Sequence, residues 1–575
     1  MTNLEIARVF RQVAELLELQ GEDHFRVEAY RRVANNIETT SENLLYFHDR
    51  DALRRIPGVG EGIAAKIDEL IETGRLRYLE ELQAQVPPGL PQLLEIPGLG
   101  PKKVRALWEQ LGITNIDELE AAAKAQKIRH LPGMGAKTEQ NILKGIERFR
   151  AHQERMRLGD ALPYAEQLME ALRQAAGAAL ERIEIAGSAR RRLETVGDLD
   201  FVATAADPER VMEAFVHLPQ VSEVRLHGPT RSTITTTAGF NVDLRIVPAE
   251  SFGSLLQHST GSKAHNIRLR ELAQRRGVSI SEYGITDADS GDRLLAAADE
   301  CEVYAFLDLP CIPPELREDR GEFEAAANGT LPHLLELEQI RGDLHAHTSY
   351  SDGACSVAEM GDAAQALGYQ YLALTDHSPS LDVAHGLSVE RLLQRAEEID
   401  DYNAGQKRFR LLNGTETDIR ADGSLDYPEE ILEQLDVVVA SVHTRFGMKR
   451  EEMTDRIVKA LDSGHVDVLG HPTGRLINRR DPYEVDLGRV LEAAKRADAA
   501  VEINAFPDRL DLRDVDARAA KELGVRLAIG SDAHHTQHLP LLRYGVYTAR
   551  RAWLEPDDVL NTRSADELLR LLGKQ

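Results

Sequence analysis

The segment DLHAHTSYSDG, residues 343–353, is dense in side chains that bind metal ions. Two imidazoles, His345 and His347, and two carboxylates, Asp343 and Asp352, lie within ten residues. The segment begins like a strand and continues like a loop. Imidazole and carboxylate groups together suit Zn²⁺, Mn²⁺ or Fe²⁺ better than Mg²⁺. The pattern therefore predicts a transition-metal centre.

Similar side chains stand at or just past the ends of later apolar segments, which read YLALTDH, LLNGTE, VVVASVH, VDVLGH, AVEIN and VRLAIGSDAH. Because strand-like and helical segments alternate here, parallel strands closed into a barrel are predicted, with the strands' carboxyl ends on one face. Metal-assisted phosphoester hydrolysis is the expected chemistry, with Glu416 bridging two ions. The candidate ligands are His345, His347, Asp352, His377, Glu416, His443, His471, Asp532 and His534, of which His345, His347 and Glu416 are the candidate catalytic residues.

A second set of carboxylates lies upstream, in GDLDFV and FNVDLRIV. The alternation of a strand puts Asp198 and Asp200 on one face, and Asp243 lies between the core residues of another strand. Like charges so close usually persist only with a cation between them, and all-oxygen ligands select Mg²⁺ or Mn²⁺. Three carboxylates holding two ions are typical of phosphoryl transfer. The preceding Gly187–Ser188 pair opens a loop of three arginines suited to a triphosphate.

Three short repeats near the N-terminus, IPGVG, IPGLG and LPGMG, are each followed by a helical stretch. Pro and Gly break the preceding helix, and the next helix begins with backbone N–H groups that can bind phosphate. Residues 97–150 carry ten Lys or Arg against six Asp or Glu, inside a chain of net charge −26. Plain helix–helix turns without a ligand are the alternative. The candidate DNA-binding residues are Gly58, Gly60, Gly98, Gly100, Lys102, Lys103, Gly133 and Gly135.

The motifs GS…RR…GDLD…VDLR and STGSKAHNIRLRELAQRRGVSISEYG resemble the palm and nucleotide-binding subdomain of a family X DNA polymerase. FRVEAYRRVANNIE and IPGVGEGIAAKIDELIETGRL are similar to that family's small N-terminal domain. The resemblance implies that Asp198, Asp200 and Asp243 are metal ligands and catalytic. The implied nucleotide-binding residues are Gly187, Ser188, Arg191, Gly197, His258, Gly261, Ser262, Lys263, Asn266 and Arg270.

Two departures from the pattern of this family matter. His258–Ser259 replaces an aromatic pair below the incoming sugar, so sugar discrimination is expected to differ. Asn241 replaces an arginine that couples to the catalytic carboxylate in animal relatives. Lys66 matches the lysine that forms a Schiff base with an abasic sugar in some relatives, but Gly62 and Arg26 replace nearby lysine or basic residues. Lys66 is thus either a lyase nucleophile or a phosphate contact.

The nine candidate ligands after residue 340 match a PHP domain (polymerase and histidinol phosphatase), which implies a distorted seven-stranded barrel with up to three ions, Mn²⁺ or Zn²⁺. The fold class expected for the chain is multidomain: an all-α helix-hairpin-helix region, an α+β nucleotidyltransferase palm with a fingers-like subdomain, and a C-terminal distorted (β/α)7 barrel. The expected domains are a helical lyase-like domain (1–84), a helix-hairpin-helix DNA-binding domain (85–155), the palm (156–250), a nucleotide-binding and template subdomain (251–318), a linker with a short helix that lets the catalytic units move (319–340), and the PHP domain (341–575).

Composition narrows the class of protein. At 575 residues the chain exceeds a single core, and no apolar run approaches the ~20 residues of a membrane span. Three cysteines without a pairing pattern predict a reducing cytosol. The resemblance implies a bacterial, cytoplasmic and nucleoid-associated protein, and a monomer is expected.

The predicted function joins two opposed reactions. The palm is expected to fill short gaps in DNA repair, using primed or gapped DNA, dNTPs and Mg²⁺ or Mn²⁺. The barrel is expected to act as a 3′–5′ exonuclease or 3′-end processing phosphodiesterase. The alternatives are a template-independent nucleotidyltransferase fused to a small-molecule phosphatase, and a DNA-binding scaffold with inactive sites.

Overall fold

Helices alone build the N-terminal region of the computed structural model, which describes residues 3–38, 53–54, 58–73, 75–87, 89–96, 99–153, 155–381 and 384–574. In the first helix, Ile6, Phe10, Val13 and Leu17 recur at helical spacing and are buried in one apolar core with the helices that follow. The helices are α1 (Asn3–Gln20), α2 (His24–Glu38), α3 (Glu61–Thr73), α4 (Arg77–Gln83), α5 (Pro101–Leu111), α6 (Ile116–Lys124) and α7 (Ala136–Gln153).

The next unit is a five-stranded sheet of order β2-β4-β7-β6-β5, in which β4 and β7 are parallel and the other pairs antiparallel. Along β4, Phe201 and Ala203 pack with α8 and α10, whereas Val202 packs on the opposite face with α11. The elements are β1 (Met156–Arg157), α8 (Leu158–Ala176), β2 (Leu180–Ile185), α9 (Gly187–Arg190), β3 (Thr195–Val196), β4 (Leu199–Ala205), α10 (Pro208–Val216), β5 (Val221–His227), β6 (Arg231–Thr236), β7 (Asn241–Ile246) and α11 (Phe252–Thr260).

A smaller unit follows, with a three-stranded antiparallel sheet of order β10-β9-β8 and its own apolar core. Cys301 and Cys311 form a disulfide in this unit, with their Cα atoms 4.7 Å apart. The expectation of unpaired cysteines is therefore wrong, because the irregular turn after α13 brings the two residues together. The elements are α12 (Lys263–Gln274), β8 (Val278–Ser281), β9 (Gly284–Asp287), β10 (Arg293–Leu295) and α13 (Glu300–Phe306).

The C-terminal unit is a seven-stranded parallel sheet whose strands lie in sequence order, as predicted. A parallel bridge between Ala346 and Ala533 joins the first strand to the segment after the last, so the sheet is nearly closed. The strands are β11 (Gly342–Ala346), β12 (Tyr371–Leu374), β13 (Arg410–Asp418), β14 (Val437–Ser441), β15 (Val468–Leu469), β16 (Ala500–Asn504) and β17 (Leu527–Gly530). The helices are α15 (Val357–Ala366), α16 (Val389–Ala404), α17 (Glu429–Leu432), α18 (Arg450–Leu461), α19 (Leu487–Arg496), α20 (Asp514–Leu523), α21 (Leu542–Arg551) and α22 (Ala565–Leu571).

The segment 319–340 contains the expected short helix, α14 (Glu322–Asn328), but it is packed in place. Phe323 and Leu334 are buried in the core of the preceding unit, and Leu335 is buried in the core of the barrel. The fully buried Glu322 accepts a hydrogen bond from His265 at 2.7 Å. The expectation that this segment lets two catalytic units move is therefore wrong for this structure, because its apolar side chains join both cores.

The sheet unit and the barrel also contact each other directly. Ile477, Leu510 and Tyr544 of the barrel are buried in the core of the sheet unit. Arg475 donates to Glu194 at 2.6 Å across the same junction. The sheet unit and the barrel therefore share a packed junction. Among the described residues, no helix is long and apolar enough to cross a bilayer.

Candidate functional site

The nine candidate ligands of the C-terminal unit lie together at the carboxyl ends of its strands. The imidazole Nε2 of His471 is 2.8 Å from the Glu416 carboxylate, and Nε2 of His347 is 3.3 Å from that of Asp532. Donor atoms within 4.8 Å of one another form three overlapping groups: His347, Asp352, His377 and His534; His345, His347 and Asp532; and His377, Glu416 and His443. Residues spread over 190 positions of sequence thus form one cluster, and its division into three groups fits several ions.

The chemistry of these side chains fits bound metal. Among the described residues, Nε2 of His345 and both ring nitrogens of His347 are buried without a hydrogen-bond partner. An unpaired buried polar atom costs about 1–3 kcal/mol, which coordination of a cation would offset. The site therefore has the lone pairs, burial and negative charge that a transition metal requires.

The titration of these groups shows how strongly the cluster attracts positive charge. Burial lowers the pKa of His345, but the carboxylates of Glu502, Glu416 and Asp532 outweigh it and raise the pKa well above its ordinary value. Burial also acts against the charge on Glu416, yet the surrounding histidines hold its pKa well below the ordinary range. The cluster thus favours positive charge at His345.

Three further residues orient these ligands. Sequence reasoning did not assign Glu502 and Asp418 to the site, and it left open whether Asn504 supports the ligands or faces the substrate. Glu502 accepts from Nδ1 of His345 at 2.7 Å and from the backbone N–H of His471 at 2.6 Å. Asp418 accepts from Nδ1 of His443 at 2.9 Å, and Asn504 donates to Asp532 at 3.1 Å. Because a carboxylate can only accept, His345 and His443 present Nε2 to the cluster. The sequence signal was available for Glu502 and Asn504, which stand in AVEIN.

The carboxylates of the five-stranded sheet meet as the alternation predicted. Asp200 and Asp243 are paired in register on the parallel strands β4 and β7, and Asp198 directly precedes β4. Leu199 and Phe201 face the core. Burial first, and then the charges of Asp198 and Asp243, raise the pKa of Asp200 to about 7. The repulsion among the three groups is therefore substantial, and a divalent cation would relieve it.

The loop before these carboxylates packs closely against them. Gly187 has φ +63, and a Cβ added there would lie 2.1 Å from Oδ2 of Asp200. The backbone N–H of Ala186 donates to the Asp200 carbonyl at 2.8 Å. On the other strand, Thr233 donates to the Asp243 carboxylate, and Arg231 lies 3.6 Å from it. Glycine is thus required at 187 by conformation and by space.

The three consecutive arginines of this loop have separate partners. Arg190 binds the Glu300 carboxylate at 2.5 Å. Arg191 donates to Glu318 at 2.9 Å and to the Thr260 carbonyl at 2.8 Å, and it remains near enough to act on Asp200. Arg192 lies over the Tyr547 ring of the barrel unit. Only Arg191 is therefore placed beside the carboxylates, and its contact with triphosphate stays a prediction.

The other candidate nucleotide-binding residues surround the start of α12. Asn266 donates to the carbonyls of His258, at 2.7 Å, and Gly261, at 3.2 Å, so its amide fixes the turn between α11 and α12. Ser262 caps α12 by accepting from the backbone N–H of His265. The remaining positions lie on this turn, on α12 or beside the carboxylates, and their roles stay predictions: Ser188, Gly197, Lys263 and Arg270.

The repeats near the N-terminus do precede helices. Gly58 and Gly133 adopt positive φ, +83 and +74, as tight turns require. Gly60 and Gly135 lie at the surface before α3 and α7. Gly98 lies outside the described residues. Gly100, Lys102 and Lys103 lie at the start of α5, and the DNA contacts of all these residues stay predictions.

Lys66 lies on α3, where its ammonium group contacts a backbone carbonyl and an aromatic ring. The Nζ atom donates to the Gly62 carbonyl at 3.2 Å and lies 4.9 Å from the centre of the Tyr78 ring. The choice between a lyase nucleophile and a phosphate contact stays open.

Four family models match parts of this chain. They are a helix-hairpin-helix domain at residues 1–76, a SAM-like helix-hairpin-helix tandem at 90–148, a DNA polymerase beta thumb at 255–318 and a PHP domain at 343–506. A Bacillus subtilis protein named DNA polymerase/3′-5′ exonuclease PolX is 40% identical over 570 residues, 99% of both chains. A probable phosphatase of a Thermoanaerobacter species is 32% identical over 232 residues, 38% of this chain and 89% of that protein. One of Shewanella sediminis is 29% identical over 248 residues, 40% of this chain and 94% of that protein.

We expect Glu502→Gln to weaken metal binding in the barrel by about ten- to a hundredfold. Both oxygens of Glu502 accept from N–H groups, so an amide would place a donor against a donor. Metal content after dialysis against graded chelator measures the effect, with Glu492→Gln on the exposed face of α19 as control. Equal metal retention by both variants would show that Glu502 does not support the ligands.

We also expect Mg²⁺ binding at Asp198, Asp200 and Asp243 to weaken about tenfold between about pH 8 and about pH 6. The pKa of Asp200 is raised to about 7, so below that pH the carboxyl is protonated and cannot bind a cation, whereas above it the carboxylate is free. Calorimetric titration at the two pH values measures the change, and Asp200→Asn should remove it. An affinity that is the same at both pH values would contradict the raised pKa.

Proposed function

The chain belongs to the family X DNA polymerases that carry a PHP domain, and from that premise we propose which residues perform each of its reactions. It is a DNA polymerase with a 3′–5′ exonuclease. We assign nucleotide addition to the carboxylates of the five-stranded sheet and exonucleolysis to the cluster of the barrel. The observation that carries this assignment is the presence of two separate groups of ionisable side chains on one chain. One is the three carboxylates of the sheet, and the other is the largely buried cluster of imidazoles and carboxylates in the barrel.

In the polymerase site, Asp198, Asp200 and Asp243 would hold Mg²⁺ or Mn²⁺, since only oxygen ligands are offered. Asp200 would lose its proton as the ion binds, and Thr233 and Arg231 would keep Asp243 oriented. The loop at Gly187–Ser188 and Arg191 would hold the triphosphate beside these carboxylates. The resulting activity is addition of dNTPs to a primer, and we propose short gaps in damaged DNA as its substrate.

In the exonuclease site, the nine clustered residues would hold Mn²⁺ or Zn²⁺, up to one ion for each of the three groups of donors. Glu416 touches histidines of several strands and is the proposed bridge. When bound, divalent ions at both sites polarise the phosphate and lower the pKa of the attacking oxygen. Glu502, Asp418 and Asn504 would fix the ligands so that no reorganisation is needed during the reaction.

The DNA itself would be held by the helix-hairpin-helix units. Their tight turns expose helix N-termini, and basic side chains follow on α5 and α7. Contacts of this kind bind the phosphate backbone without reading sequence. The duplex bound by the helix-hairpin-helix units would then be the substrate of both reactions.

We expect the two activities to be separable by substitution. Asp198→Ala with Asp200→Ala should abolish primer extension and spare degradation, whereas His345→Ala with His347→Ala should do the reverse, because each pair removes the ligands of one site. An end-labelled primer annealed to a gapped template, with and without dNTPs, measures both. Loss of both activities in either variant would contradict separate sites.

The same variants test the alternative of a small-molecule phosphatase, which the probable phosphatases among the relatives favour. Turnover of histidinol phosphate that exceeds turnover of a recessed DNA end, and that disappears in His345→Ala with His347→Ala, would replace the exonuclease assignment. Extension of a single-stranded primer without template would likewise replace template-directed synthesis.

We expect Gly187→Ala to lower primer extension about a hundredfold with degradation unchanged, because its Cβ would displace Asp200 by about an ångström. Gly177→Ala is the matched control, since Gly177 also has positive φ, +57, but a Cβ there meets nothing within 4 Å. Both variants place a Cβ on a residue with positive φ, so both should lose some stability from backbone strain. Equal extension by the two would show that Gly187 does not position Asp200.

A further inference from the structure

A polar cavity of about 320 Å³ lies where the five-stranded sheet unit meets the barrel, apart from both metal sites. Its walls come from the palm loop 192–195, from the start of α20 and from the end of α21. Five arginines line it: Arg155, Arg192, Arg320, Arg513 and Arg551. Only two carboxylates, Glu194 and Asp514, share the lining, so its formal charge is +3 in a chain of net charge −26.

The two carboxylates do not neutralise the arginines evenly. Glu194 is bound by Arg475, which is not part of the lining, at 2.6 Å. Asp514 accepts from Arg551 at 2.7 Å and from Arg320 at 2.9 Å, so it serves two guanidinium groups at once. Each acid of the lining is therefore already engaged.

Two further carboxylates, outside the lining, pair with two of the lining arginines. Asp516 accepts from Arg513 at 2.8 Å, and Glu318 accepts from Arg551 at 3.1 Å. The positive charge that remains in the cavity is therefore that of the other arginines.

Arg155 and Arg192 carry that excess charge. Arg155 donates to the hydroxyl and the carbonyl of Thr195, at 3.1 and 2.6 Å, and both acceptors are neutral. Arg192 lies over the Tyr547 ring, 4.5 Å from its centre. In the part of the chain that the structure describes, neither guanidinium forms an ion pair. Two unpaired guanidinium groups in one cavity call for an anion with two or more charges, and their planar donors suit phosphate.

The size and lining of the cavity narrow the ligand further. A volume of this order accommodates a small molecule rather than a single ion. Among the described residues no aromatic side chain lines the cavity, and the Tyr547 ring is covered by Arg192, so no open plane is offered to a base. The lining is thus suited to the phosphates of a ligand and not to a nucleobase.

We propose that this interdomain cavity binds a diphosphate group, either free pyrophosphate, the product of nucleotide addition, or the phosphates of a nucleotide. The bound anion would connect Arg192, on the loop that leads to Asp198, with Arg551 of the barrel. Arg551 already donates to the carbonyl of Arg191 at 2.8 Å, so the cavity adjoins a contact that joins the polymerase loop to the PHP domain.

Calorimetric titration of the full-length protein with sodium pyrophosphate, without added Mg²⁺, tests this site. Arg155→Ala with Arg192→Ala should weaken binding about tenfold or more, since two charge-assisted contacts are lost. The matched control is Arg173→Ala with Arg225→Ala, which removes two exposed arginines of the same unit, 48% and 51% accessible, that do not line the cavity. The single variant Arg155→Ala, which changes an exposed side chain, guards against misfolding of the double variant.

Titrations with dATP and dAMP then distinguish the sources of the diphosphate. Loss of dATP binding in Arg155→Ala with Arg192→Ala, beyond any loss of dAMP binding, supports a nucleotide, and loss of pyrophosphate binding alone supports the free product. Pyrophosphate binding as tight in Arg155→Ala with Arg192→Ala as in the wild type would overturn the proposal. Displacement of pyrophosphate by a short DNA duplex would also overturn it, because the arginines would then be backbone contacts.

Discussion

Carboxylates of like charge repel when they are brought together away from water, and in this protein that repulsion has to be balanced at two places. Asp200 shows it at the sheet, where its neighbours and its burial raise its pKa to about 7. In the barrel the same imbalance raises the pKa of His345 well above its ordinary value. Both clusters therefore favour positive charge, and divalent metal would supply it together with the polarising power that phosphoryl transfer needs.

Backbone geometry brings these groups together. Two adjacent parallel strands set Asp200 beside Asp243, and the parallel barrel directs each strand end to one face. Residues that hydrogen-bond to the ligands then determine which ligand atom faces the metal site. Glu502, for example, binds Nδ1 of His345 and so leaves Nε2 toward the site. The two sites are further connected by packing: Tyr544 of the barrel is buried in the core of the palm unit, so each reaction takes place on a shared frame.

Short-range patterns in the sequence predicted much of this arrangement of strands and ligands. Alternation placed Asp198 and Asp200 opposite Leu199, and repeated strand ends predicted the order of the barrel and the candidate ligands that gather there. Contacts between distant residues were not predictable in the same way. The linker was expected to be mobile, yet Phe323 is buried, because its partners belong to a core built by other segments. Glu502 binds a histidine 157 positions away, and the local periodicity of the sequence does not predict this pairing.

The central claim is that two distinct clusters bind divalent cations on one chain, and anomalous scattering from crystals of the full-length protein grown with Mn²⁺ tests it most directly. Manganese peaks are predicted both beside Asp198, Asp200 and Asp243 and within the cluster around Glu416. Peaks confined to one of these places, or found only at surface carboxylates, would contradict the account.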